Sequence, residues 1–520
     1  MTNYDIVASY SQAIRANVLE GHMPPWCADP EYGLFSNDSS LTPLEARQLV
    51  QWIDAGAPRG SGSDPLTGYV ASLTYPFGWP AELGPPDAIL TYPLQTIPAF
   101  WIVDYRYFTL PSPFSSNAWL RAAVVLPSTP RAAHHETIHL NPAPDNANIG
   151  VYAPGTGAWV YPPGTRWLLP KGASIEISLH YVTSGTPQTD LPRVGFYLAR
   201  DSRLRTLTGK PIGWGSDGFG VQPPIQPYAR EDVRTASYTL GSDILLWQFQ
   251  PHMHLRGSWM KYEAIYPGGG TELLLSVPHY HPHVQTLYQL AQPKRLPART
   301  TIRVTGAFDN SPQNEKNPAP DKLVNWGPQL KDEMFNGLIQ YTELLTITSQ
   351  PRNRNVARGA TAKFSVTAPS PNPPIRYQWR FNGSASEEAT NSSLTLTNAQ
   401  SVHEGDYSVV VTDQFESVTS NPAVLRVGDP LVITQQPAPQ TVVAGDNATF
   451  SVSVSGTPPF GFSWSKMSTV LTNVVQSETT STFTLFNVSP SDAGDYRVAV
   501  TNDFGAGVTS PLVPLTVTGP

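Results

Sequence analysis

Cysteine is nearly missing from this chain: Cys27 is the single one in 520 residues. That excludes an intrachain disulfide, a CxxC redox pair, a cysteine-built zinc site and a CxxCH haem attachment. Charge is sparse too, at 14% of residues, against about a quarter in an average soluble domain. The net charge of −7 leaves no basic footprint, so nucleic acid is not an expected partner. No run approaches the length of a membrane helix, so no membrane span is expected. The opening MTNYDIVASY lacks both the basic and the apolar region of a secretory signal. A start placed too far downstream would explain that as well as a cytoplasmic life. Long helices are excluded as a main theme by 53 prolines, about twice the usual share.

What is present suffices for packed cores: 40% of residues are hydrophobic and 10% aromatic. Residues 1–60 read as a small helical unit. Tyr4, Val7, Tyr10, Ile14 and Val18 recur at helical spacing. In LTPLEARQLVQWIDAGAP, Thr42 is an N-cap, Pro43 the first helical residue and Glu45 the partner in a capping box, with Gly56 and Pro58 as the stop. Between the two helices lies the stiff MPPW turn, Met23 to Trp26. Residues 61–345 read as β throughout, in short runs such as AWLRAAVVL, SIEISLHYV, DILLWQFQ, YEAIY and TIRVTGAF separated by turn clusters. The spacing predicts two antiparallel sandwiches, 61–205 and 206–345, breaking near the loop Gly209–Pro224.

Residues 346–520 contain a repeat. Trp379 in RYQWRFNG returns as Trp464 in GFSWSKM, and Tyr407 in HEGDYSVVV returns as Tyr496 in DAGDYRVAV. The pattern resembles two immunoglobulin-like domains, 346–428 and 429–520, with a core Trp on strand C and a tyrosine corner on strand F. Val366/Val409 and Val452/Val498 stand where such domains can carry a disulfide. The fold class expected for the whole chain is mainly β: two jelly-roll-like sandwiches and two immunoglobulin-like ones, preceded by a helical segment.

Histidine is the remaining chemical resource, with eleven residues. His252 and His254 flank Met253 after a strong strand, so alternation puts both imidazoles on one face, where they chelate one ion or sit as hydrogen-bonded surface groups. Adjacent His134 and His135 point to opposite faces of a regular strand and share a target only at a bulge or strand end. His180, alone on an alternating strand, reads equally as a satisfied core histidine. Met334 supplies a soft thioether, or core filling. His139 and the run His279, His281, His283 read as surface or supporting groups.

Taken in order, HH, HY, HxH and DEM-x-N resemble the copper type II, ascorbate-dependent monooxygenases, the family of peptidylglycine α-hydroxylating and dopamine β-monooxygenases. The words PHMHLRG, FDNSPQNEKNPAP, VNWGPQ and DEMFNG agree with bacterial relatives, and the resemblance covers roughly residues 75–345. It implies two copper ions per chain. His134, His135 and His180 would hold the electron-storing copper, and His252, His254 and Met334 the catalytic one. The implied reaction hydroxylates an aliphatic C–H bond of a small-molecule or peptide substrate with O2 and electrons from ascorbate or a redox partner. Gln250 and Leu338 stand where the amidating enzymes clamp a carboxylate with Arg and Tyr, while Asn336 is retained as a substrate-binding candidate. Residues 1–60 resemble the C-terminal half of a c-type cytochrome, with Met23 as axial ligand only if a haem-bearing half exists. Haem c is not expected in the chain as written. The resemblance also implies a periplasmic or extracellular location.

The alternative from another class is an extracellular adhesion or scaffold protein, its immunoglobulin-like modules meeting a surface, polymer or protein, its sandwich binding copper without turnover. A zinc hydrolase built on His252 and His254 is the third reading, and it lacks an HExxH helix.

Overall fold

The computed structural model describes residues 3–519 except 22, 25, 65, 67–76, 102, 142–147, 155–156, 215–222, 283–285 and 371. It divides into two compact units, Met1–Leu344 and Leu345–Pro520. The chain is mainly β, with sandwich after sandwich and a few short helices at the start.

The helical period of the first residues is realised as two helices, Tyr4–Ser9 and Ser11–Leu19, interrupted at Tyr10. The third, Pro43–Asp54, has its capping box as expected: Glu45 N–H donates to Thr42 Oγ1 at 3.2 Å, and Thr42 N–H to the Glu45 carboxylate at 2.9 Å. Gly56 follows at φ +86°, the left-handed conformation that ends a helix most easily in glycine. The segment after the MPPW turn is sewn onto the second sandwich. Trp26 packs edge-on against Tyr288 at 4.9 Å and Phe35 at 5.7 Å, and Ala291 N–H donates to the Leu34 carbonyl at 2.7 Å.

The two expected sandwiches share one sheet. Its eight strands run Ala88–Thr91, Arg193–Leu198, Ala118–Leu126, Thr165–Leu169, Arg205–Trp214, Phe335–Glu343, Ile244–His252 and Tyr288–Leu296 in spatial order. Two four-stranded sheets complete the layers. One contains Arg106–Pro111, Ser174–Tyr181, Ala133–Asn141 and Asn148–Tyr152; the other contains Asp232–Thr239, Thr301–Phe308, Gly257–Ile265 and Thr271–Val277. Each half has its own apolar core, one around Leu120, Val125, Ile177 and Phe196, the other around Phe249, Tyr262, Val304 and Ile339. The halves meet through a short parallel pairing of Arg205–Thr206 with Thr165–Arg166. The expected break near Gly209–Pro224 is therefore corrected in its first half. Gly209–Trp214 belongs to a strand laddered to Phe335–Thr342, because Ile212 is an apolar residue with a core to enter. Residues 215–222 of that loop lie outside the described residues.

Residues 345–520 form the immunoglobulin pair. Trp379 and Trp464 are buried at the two core centres, and Trp379 pairs in register with Val409, Trp464 with Val498. Tyr407 Oη donates to the His403 carbonyl at 2.9 Å and Tyr496 Oη to the Asp492 carbonyl at 2.7 Å. Both tyrosine corners thus form as the repeat predicts. Val366, Val409, Val452 and Val498 are all buried, so apolar contact does the work of the missing bridges.

Candidate metal centre

The strand Ala133–Asn141 shows how two adjacent histidines come to share a target. Ala133 pairs with Tyr181 and His135 with His180, so His134 is the extra residue of a β-bulge. A bulge breaks the alternation of faces and re-aims one side chain. His134, His135 and His180 consequently converge. Their Nδ1 atoms form a near-equilateral triangle, with sides of 3.1 Å (His134–His135), 3.1 Å (His134–His180) and 3.5 Å (His180–His135). A point equidistant from the three corners lies about 1.9 Å from each, near the ~2.0–2.1 Å of a metal–imidazole bond.

The electrostatics favour a neutral ring at His135. Burial, then the mutual repulsion of His180, His134, His252 and His254, holds His135 well below the usual histidine range. Tyr105 secures the outer side: its hydroxyl lies 2.5 Å from His135 Nε2, and its ring stacks on His180 with centroids 4.6 Å apart. With Nδ1 directed at an ion, Nε2 carries the proton and the Tyr105 oxygen accepts it, an arrangement that fixes tautomer and ring orientation. Burial raises the Tyr105 phenol above its ordinary range, so it stays neutral.

His252 closes its strand, and His254 follows after the fully buried Met253. The two imidazoles stand perpendicular with centroids 5.2 Å apart. His254 Nδ1 donates to the Asp332 carbonyl at 3.1 Å, which leaves the lone pair on Nε2. Burial, then His252, pushes His254 down to about 3. The ladder ends with His252 opposite Asn336. Met334 lies just before the strand that carries Asn336 and is half-buried. The two histidine groups are neighbours: the Tyr105 ring stacks on His180 and also faces His254, at 6.5 Å between centroids.

A buried clamp holds the second group. Glu333 is fully buried and accepts from the backbone N–H of His254 at 2.9 Å and of Arg256 at 2.6 Å. The Arg256 guanidinium, also buried, lies 3.9 Å from Glu333 and donates to Asn310 Oδ1 at 2.9 Å and the Lys331 carbonyl at 3.0 Å. Burial pushes Glu333 up to about 8 against the pull of these donors. Sequence reasoning passed over Glu333, Arg256 and Tyr105. The first two had a signal, being charged residues within two positions of presumed ligands in a chain poor in charge. Tyr105 had none, because only folding brings it to the histidines.

The other candidates are placed apart from these groups or beside them. Asn336 is half-buried, and its side chain leaves no room for a Cβ at Gly213. Gln250 and Leu338 face each other in the same ladder. Met23 is 51% exposed on the turn after Ser11–Leu19. His139 Nε2 lies 3.0 Å from Thr137 Oγ1, and His279 and His281 line a cavity of about 590 Å³ with Cys27 and Lys316. His283 lies outside the described residues. No helix among the described residues is long and apolar enough to cross a membrane.

Comparison with known proteins bears on the C-terminal unit. The immunoglobulin I-set domain family matches residues 431–513 and the immunoglobulin domain family residues 346–413. The muscle M-line assembly protein unc-89 of Caenorhabditis elegans is 27% identical over an alignment of 206 positions that covers 36% of this chain and 2% of that protein. Among solved structures, the titin domains z1z2 in complex with telethonin are 22% identical, covering 34% of this chain and 97% of that one at a TM-score of 0.18. Extracellular domains 3–5 of Drosophila OTK are 14% identical, covering 59% and 99% at 0.29. These matches correct the sequence reading. Immunoglobulin modules and an assembly protein are what the chain is similar to, and the expectation of a copper type II monooxygenase, an oxidoreductase, is overturned. The physical reason is that the resemblance rested on short motifs around donor residues, and such a set of donors can hold an ion without any reaction following. The C-terminal third of the chain is a tandem of immunoglobulin-like sandwiches, similar to the immunoglobulin families over 346–413 and 431–513.

Proposed function

We propose that the chain is a scaffold or adhesion protein outside the cytoplasm, with the immunoglobulin pair as its assembly surface and a metal ion as a fastener in its N-terminal unit. The match of both C-terminal modules to immunoglobulin families carries the scaffold reading. The converging Nδ1 triangle supports the fastener. An ion held by His134, His135 and His180 cross-links the bulge of Ala133–Asn141 to Ser174–Tyr181. Three neutral imidazoles suit zinc or copper, and a thioether at Met334 adds a soft donor that zinc rarely uses and Cu(I) prefers. The second group, His252, His254 and Met334, is accordingly a weaker, softer position.

The chain should be loaded separately with zinc and with Cu(I), desalted and assayed for metal per chain. About one zinc is expected, lost in His180→Ala. Cu(I) is expected to exceed zinc, and Met334→Ala to remove the excess. No metal retained would overturn the fastener. Ascorbate-dependent O2 uptake by the loaded chain that vanishes in His254→Ala would overturn the scaffold reading.

A further inference from the structure

The two immunoglobulin modules end their sheets differently. In the first, the edge beyond Arg376–Phe381 is a two-residue strand, Ser384–Ala385. In the second, the edge beyond Phe460–Lys466 is the eight-residue strand Thr469–Gln476. Its sequence, TVLTNVVQ, has no charge and no proline. Val475 is 75% exposed and Val470 54%, with Leu471 and Val474 near 40%. Long apolar edges are what proteins ordinarily shorten, charge, bulge or cover, because their outward N–H and C=O groups template another strand.

We propose that Thr469–Gln476 is a homotypic docking edge, onto which a second copy of this chain adds the same strand antiparallel. The pattern along the strand is self-complementary. Gln476, Val474 and Thr472 pair with buried Phe460, Phe462 and Trp464, so they face inward, while Val475 and Asn473 pair with Gly461 and Ser463 and face outward. A bulge makes Leu471 the extra residue and leaves Val470, itself 54% exposed, opposite Ser465. A two-fold axis at Asn473 then sets Val475 of one copy against Val470 and Leu471 of the other, twice over. Thr469 meets Gln476, and Thr472 meets Val474. The same register brings Glu478 of each copy beside the partner's Lys466–Thr469 turn, where Lys466 also donates to the Ser491 carbonyl of its own module at 2.6 Å, and the middle of the edge carries no charge. A like-charged edge would repel its own copy; this one does not.

The proposal rests on the scaffold reading and names the partner of its assembly surface. Sedimentation of the full chain from about 1 to about 100 μM, a span that resolves micromolar pairing, tests it in wild type, Val475→Lys and Val475→Thr. A concentration-dependent dimer is expected, with dissociation raised about tenfold or more by Val475→Lys, since symmetry repeats the charge, and little by Val475→Thr. Val475 is exposed, so both variants should keep the wild-type thermal transition of the C-terminal unit. A monomer throughout, or a dimer indifferent to Val475→Lys, overturns the inference and leaves the scaffold reading standing. Metal-dependent O2 uptake would do the reverse.

Discussion

Tyr105 illustrates how one side chain can matter without being a ligand. Its hydroxyl holds His135 and its ring lies on His180, so Tyr105→Phe should weaken zinc by about tenfold, the lower range for outer partners of metal-bound histidines. Folding stability should change by no more than about 1 kcal/mol, a single net hydrogen bond. Chelator competition and thermal unfolding of the same samples check both halves. Glu333 is the opposite case, because removing it strands the buried Arg256 and two backbone donors. Glu333→Ala should cost about 1–3 kcal/mol, the range for leaving buried donors without an acceptor, measured by denaturant unfolding of the apo chain.

Among elements, the bulge at His134 is the decisive local feature. Sequence reasoning stated the condition for adjacent histidines to share an ion, a bulge or strand end, yet nothing in RAAHHET said which register the ladder would take. Removing Ala133 should restore regular pairing, send His134 and His135 to opposite faces and abolish zinc retention. The tyrosine corners, by contrast, were legible from the repeat alone. Tyr407→Phe and Tyr496→Phe should each cost about 1 kcal/mol, the loss of one hydrogen bond to backbone, as a shift in the C-terminal unit's denaturant midpoint.

For the whole molecule, two units with separate cores should unfold in two transitions. Zinc binds only the folded N-terminal unit on this reading, so it should raise one transition and leave the other unchanged in calorimetry. Acid should act as selectively. His254 is neutral in the fold down to about 3, whereas the unfolded chain takes up that proton near the ordinary histidine value. Below about 4.5 the unfolded state binds more protons at this site, so the stability of the metal-free N-terminal unit should fall as pH drops from about 4.5 towards 3, whereas above 4.5 the buried Glu333, which keeps its proton up to about 8, acts in the opposite sense. Among its described residues the immunoglobulin pair has no counterpart of that buried histidine, and its transition should move less.

Local pattern and composition determined much by themselves. Proline and short alternating runs specified β structure, the Thr42–Glu45 box specified a helix start, and the Trp and Tyr repeat specified two immunoglobulin sandwiches, because capping, alternation and the tyrosine corner act over a few residues. The motif order HH, HY, HxH also pointed to histidines that fold into two neighbouring groups, although with DEM it suggested a reaction that the comparisons overturn. Tertiary structure alone decided the rest. Whether the two sandwiches share a sheet, whether His134 is bulged, that Tyr105 lies between the histidine groups and that Glu333 meets Arg256 all depend on register and burial between distant strands. Such contacts are selected by packing energy summed over whole faces, and no short window of sequence carries that sum.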